Sequence, residues 1–211
     1  LLRHMKPTID RCAGSLQWVR GHQFREGRAR RPPALMGMEP KLVLAQLGLR
    51  QRDGVTCGPS VAIVGAALLD SRYGAALAED GWFAEEQGRL HGRLNRLWPR
   101  ALGTTPPAIR RALSRHSSVR YRWRPARCLG DGLLDVREAV LLGYPVAMLV
   151  GRVIPRPWVL LIDIAGASDF RSYEPSSGGI RKVGSAAIRD GRPTGVGFPR
   201  AFAFVLPRRR W

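Results

Sequence analysis

Lysine is almost missing from this chain: Lys6, Lys41 and Lys182 are the only three among 35 basic residues. Acidic residues are also few, 16 against those 35, which leaves a formal net charge of +19. Such an excess draws attention to nucleic acid or acidic surfaces. No RRM, helix-turn-helix or zinc-finger pattern accompanies it, however. The arginines are dispersed, apart from Arg28-Ala-Arg-Arg31 and Arg208-Arg-Arg210. Biased composition accounts for that pattern as well as phosphate contacts do, so nucleic-acid binding is a minor alternative. No run of eighteen apolar residues occurs, which excludes a simple membrane-spanning helix. The first residues, Leu1-Leu-Arg-His-Met-Lys-Pro7, lack the apolar centre of a secretory signal. Cys12, Cys57 and Cys128 share no metal-ligand spacing, and an odd count argues against a disulfide framework. Neither metal nor cofactor is expected, and a reducing cytoplasm is the expected compartment.

What remains is a chain of 211 residues with 45% hydrophobic content, enough for one domain with a real core. Residues 1–37 carry Gly, Pro and Arg in irregular order and read as a disordered or loosely attached extension, dispensable for stability. Met36 or Met38 would serve as a natural start. Residues 38–207 read as the domain and 208–211 as a basic tail. A buried helix is expected from Pro59 to Leu69, then helices over Trp82–Trp98, from Thr105-Pro-Pro107 through Leu113, and over Asp131–Leu142. Thr105 is the expected N-cap of the third, and Gly143 ends the fourth. Val119–Trp123 alternates as a half-buried strand does. Short strands follow at Val146–Val150, Trp158–Ile162, Phe170–Tyr173, Ile180–Val183 and Ala201–Leu206. Helices first and consecutive strands later make an α+β fold with a mainly antiparallel sheet.

The chemistry concentrates at Gln51-Arg-Asp-Gly-Val-Thr-Cys57-Gly58-Pro59 and the apolar stretch behind it. A cysteine at a helix N-terminus meets the positive end of the dipole and unpaired backbone N–H groups, which favours thiolate. The same N–H groups, with a nearby amide side chain such as Gln51, can hold the oxyanion of a tetrahedral intermediate. Pro59 suits the first turn, where a missing N–H costs nothing.

This order of elements resembles the papain-like cysteine peptidase superfamily, specifically its compact C39-like bacterial branch, over residues 46–206. The resemblance implies a central buried helix opened by a glutamine and a Cys-Gly-Pro, packed on a C-terminal antiparallel sheet. It further implies a histidine at the start of a hydrophobic strand, in a His-Trp-Val-Leu-Leu context, and an acidic residue in a turn after the next strand. Gln51, Cys57, Gly58 and Pro59 match the first element. Glu174, in Tyr173-Glu-Pro-Ser-Ser-Gly178, takes the acidic position. The middle element departs. The chain reads Ile154-Pro-Arg-Pro157-Trp-Val-Leu-Leu161, so Pro157 occupies the histidine's place, flanked by Arg156 and Trp158.

A histidine in that place draws the proton from sulfur and later protonates the leaving amine, and proline does neither. Arg156 can favour thiolate by its charge but cannot donate a proton at neutral pH. Of the four histidines, His91 and His116 belong to helices and His4 and His22 to the extension. None is expected beside Glu174. Three readings stand. One is a cysteine peptidase-like hydrolase acting through Cys57, with peptide hydrolysis impaired. Another is a non-catalytic module that keeps the cleft for an extended peptide. The third is the basic nucleic-acid-binding protein.

Overall fold

The computed structural model describes residues 47–96, 99, 102–126, 132–153, 155–192, 197 and 200–208. The expected extension, Cys12, Cys128, His4, His22 and the end of the basic tail lie outside them. The elements run α1 (Cys57–Leu69), α2 (Ser71–Ala75), a 3₁₀ turn (Ala76–Ala78), α3 (Trp82–Leu94), α4 (Pro106–Arg115), β1 (Tyr121–Pro125), α5 (Leu134–Leu141), β2 (Val146–Gly151), β3 (Pro155–Ala165), β4 (Asp169–Glu174), β5 (Gly179–Gly184), α6 (Ser185–Arg189) and β6 (Arg200–Pro207). The fold is α+β. Its sheet has six strands in the order β1-β6-β2-β3-β4-β5, and every neighbouring pair is antiparallel.

Apolar residues all round α1 leave it no face for solvent, and twelve of its thirteen residues are buried. It lies against α3, α4 and β3. Alternation in the strands divides the sheet side chains between two cores. Ala147, Leu149, Trp158, Leu160, Tyr173 and Val205 face α1 and α4. Met148, Val150, Val159, Leu161, Phe170 and Phe204 face Val136, Ala139 and Val140 of α5 and Ile188 of α6. The sheet is thus covered on both sides, and the helices that the sequence pattern does not account for are the short α2 and α6. At five residues α2 and α6 are too short to carry a period.

Several boundaries differ from expectation, each for a local reason. The helix expected to reach Trp98 stops at Leu94, because Asn95 turns out as its C-cap and its side-chain amide donates to Thr104 Oγ1 at 3.2 Å. Thr105 does precede α4 but makes no side-chain cap. The first strand begins at Tyr121 rather than Val119, where the Tyr121 N–H is taken by Ser114 Oγ at 2.9 Å. The main chain of Arg208, read as tail, donates to Arg120 O at 2.7 Å and so extends the β1–β6 pairing.

Gly58 shows how tightly α1 is seated. A Cβ there would stand 2.5 Å from Thr104 Cβ and 2.6 Å from its Oγ1, with no flexible chain to swing aside. Gly58→Ala is therefore expected to cost about 1–3 kcal/mol by overpacking. Chemical denaturation of the two proteins measures it. A variant as stable as the parent would mean that the α1–Thr104 contact is looser than described.

Candidate functional site

The Cys57 loop is built by an aspartate turn. Asp53 Oδ1 accepts from Val55 N–H at 3.0 Å, and the Thr56 hydroxyl donates to Asp53 O while accepting from Asp53 N–H. With its hydroxyl so engaged, Thr56 stands at the N-cap without capping the helix. The first-turn N–H groups of α1 are left to the Cys57 sulfur and the cleft in front of it.

That cleft has a volume of about 240 Å³ and is lined by Gln51, Cys57, Arg156, Pro157, Trp158 and Glu174, among others. All six were singled out from the sequence, Arg156, Pro157, Trp158 and Glu174 through the family resemblance, and the fold brings them to one place. Gly58, the seventh, is in the wall behind, against Thr104. Trp158 is fully buried and donates its indole N–H to Thr104 O at 2.8 Å, which fixes the start of β3 beside the cysteine. A register shift between Leu149 and Gly151 falls opposite this end of β3, next to two prolines that cannot donate to a ladder.

Two expectations about the chemistry are overturned. The helix terminus was expected to favour Cys57 thiolate. Burial instead pushes the thiol above its ordinary value, and the charge of Asp53 adds to the rise. Main-chain hydrogen bonds involving Trp158, Gly58 and Cys57 itself pull the other way without cancelling it. Cys57 is only 7% exposed, and its thiol donates to Arg156 O at 3.5 Å. Arg156 was expected to act through its charge, but its contact with the sulfur is this carbonyl, which favours the protonated thiol.

Glu174, read as an acidic partner, is turned into its own loop. Its carboxylate accepts from the N–H groups of Ser176 and Ser177 at 2.9 and 3.1 Å and from the Ser176 hydroxyl, with the Arg181 guanidinium at 3.6 Å. Burial would raise its pKa, but those serine contacts outweigh burial and hold the carboxyl below the ordinary glutamate value. The sign of the pH effect follows. A depressed carboxyl contributes stability above the ordinary value of 4.5, and this is lost as pH falls through the lower, folded-state value. Glu174→Gln is expected to flatten stability against pH below that point. Denaturant titrations at several acid pH values measure it, and an undiminished slope would place the lost stability at other carboxylates.

Among the described residues the histidines give no substitute. His116 Nδ1 lies 3.1 Å from Asp70 Oδ2, at the C-cap of α1. Cys57 opens the same thirteen-residue helix, so the two sit about 20 Å apart at 1.5 Å per residue. His91 is buried on α3 and does not line the cleft.

Sequence reasoning missed the group that holds Gln51 in place. Gln87 is fully buried; its Oε1 accepts from Arg52 N–H at 2.8 Å and its Nε2 donates to Arg50 O at 3.2 Å. It grips the backbone on either side of Gln51. From the other direction Gln51 N–H donates to Pro175 O at 2.7 Å, and the Tyr173 hydroxyl donates to Leu49 O. Gly178, at φ +71°, lets the β4–β5 turn approach Gly48 so closely that a Cβ would meet its carbonyl at 3.0 Å. A signal for Gln87 was present. It stands with Phe83, Leu90 and Leu94 on the apolar stripe of α3, where a polar residue implies a buried hydrogen bond. Gln87→Leu is expected to cost about 1–3 kcal/mol, since it strands a backbone donor and acceptor. Amide exchange at Arg52 should accelerate with it, and unchanged protection there would remove Gln87 from this role.

The whole arrangement is a thiol at a helix N-terminus, beside a clamped glutamine, in a cleft whose strand entrance holds proline. No protein-family model matches the chain, and no curated protein matches it in sequence.

Proposed function

We propose that this chain is a papain-like domain of the C39-like type that binds an extended peptide in the Cys57 cleft without hydrolysing it efficiently. One observation carries the reading: Gln51, Cys57, Pro157 and Glu174, chosen for four separate positions of the peptidase pattern, line a single cleft. A cleft beside strand ends suits an extended chain, which can use backbone hydrogen bonds for affinity. Hydrolysis needs a thiolate and a proton donor for the leaving amine. Here the thiol is held protonated by burial and by Arg156 O, and the donor's place is filled by Pro157. Among the described residues neither histidine stands at the cleft. The binding reading is favoured over the hydrolytic one for these reasons.

The test is the rate of Cys57 alkylation as a function of pH, measured beside hydrolysis of a mixed peptide substrate. Slow labelling near neutral pH, rising only above the usual thiol range, is the expected profile. Rapid labelling at pH 7 together with Cys57-dependent cleavage would sink the reading, because an unrecognised base would then be at work.

A further inference from the structure

A second recess lies at the other end of α1, away from the cysteine. It measures about 120 Å³, between α1, α3 and α4. Ala62 and Ala66, one turn apart on α1, form a floor of small side chains, and Leu90, Leu94 and Ala112 supply apolar walls. Its rim is basic. Arg89 and Arg93 stand four apart on α3, Arg111 and Arg115 four apart on α4, and His116 closes the end.

The charges do not cancel. Among the described residues the one carboxylate lining the recess, Glu86, is already bonded to Arg89 and to the Tyr73 hydroxyl. The His116 ring is held by Asp70 and packs against Tyr73, with centroids 4.3 Å apart and planes tilted by 40°. Among the described residues no carboxylate pairs with Arg93, Arg111 or Arg115. Arginines in the last turns of α3 and α4 also suit the negative ends of those helices. That accounts for Arg93 and Arg115, but not for Arg111, which sits mid-helix and lines the same recess.

We infer that this recess binds a phosphate monoester carried on a small apolar group. The apolar floor takes the organic part, and the three unpaired guanidiniums take the anion. Guanidinium forks match phosphate oxygens in geometry, and three positive charges favour a dianion over a monoanion. A recess this size admits a single ring or short chain, not a large ligand. The site is independent of the Cys57 cleft and does not rest on the reading given for it.

Phenyl phosphate is the probe. Titrate the full chain by calorimetry near neutral pH at fixed ionic strength, beside inorganic phosphate, benzoate and phenol. Phenyl phosphate is expected to bind at least about tenfold more tightly than each of the other three. The double variant Arg93→Gln/Arg111→Gln should weaken it by about tenfold or more, and Arg115→Gln alone should weaken it measurably. Arg200→Gln/Arg208→Gln, exposed and elsewhere, should leave it unchanged. All these arginines are exposed, so folding is expected to survive, and circular dichroism checks it. Equal affinity for benzoate, binding no tighter than inorganic phosphate, or affinity retained in the rim variants would each overturn the proposal.

Discussion

Replacing Pro157 by histidine is expected to raise the rate of Cys57 alkylation near neutral pH by about ten- to a hundredfold. In the parent the thiol titrates above the ordinary value of 9.0. At pH 7 that leaves no more than about 1% thiolate. An imidazole at the strand entrance would open onto the same cleft as Cys57 and could take its proton, forming a thiolate–imidazolium pair. The gain in rate is smaller than the gain in thiolate, because nucleophilicity falls as the thiol pKa falls. Two local features resist the change. The Cys57 thiol must give up Arg156 O, and Glu174 is committed to Ser176 and Ser177 rather than to a ring. Adding Ser176→Ala to the histidine variant should loosen the carboxylate and raise the rate further. Peptide turnover is a harder demand, since an error of about 1 Å in placement costs on the order of a hundredfold. An unchanged pH profile in a folded histidine variant would mean that position 157 is not the vacated site.

Trp158→Ala is expected to be the most destabilising single change near the cleft, at about 3–5 kcal/mol. The indole is fully buried in the core between α1 and the sheet. Truncation opens a cavity there and strands Thr104 O, which accepts the indole N–H. Against a total stability of about 5–15 kcal/mol, that is enough to unfold a marginal domain. Trp158→Phe separates the two parts. It keeps most of the buried ring and loses only the hydrogen bond, for about 1–3 kcal/mol. Denaturant midpoints of the three proteins measure both steps. A loss below about 1 kcal/mol for alanine would show that the strand entrance repacks freely, and the cleft would then lack a rigid wall.

The parts of this molecule that sequence makes legible are those set by near neighbours. Gly58-Pro59 and the apolar run behind them announce α1, because capping geometry and burial on all faces are local properties. The strands from Val146 to Leu206 are legible for the same reason, being short apolar runs cut by Gly and Pro. The family resemblance pointed to Gln51, Cys57, Pro157 and Glu174 together, and these four line one cleft. The state of those groups was not legible. Whether Cys57 is thiol or thiolate depends on burial against β3, far away in sequence, and there burial outweighs the helix terminus. Glu174 looked like a partner for a ring, but two serines next to it in the chain satisfy it first. Gln87 is 36 residues from the glutamine it positions, and only its place on an apolar stripe marks it.

The central claim is peptide binding without cleavage in the Cys57 cleft. It is tested most directly by incubating the parent protein with a mixed decapeptide library and analysing retained and released peptides by mass spectrometry. Cys57 alkylation at alkaline pH, with and without the library, is followed in the same samples. The account predicts that the retained peptides are intact and that their presence slows alkylation of Cys57. Cleaved peptides in the parent that vanish with Cys57→Ala, or full alkylation beside retained peptide, would contradict it.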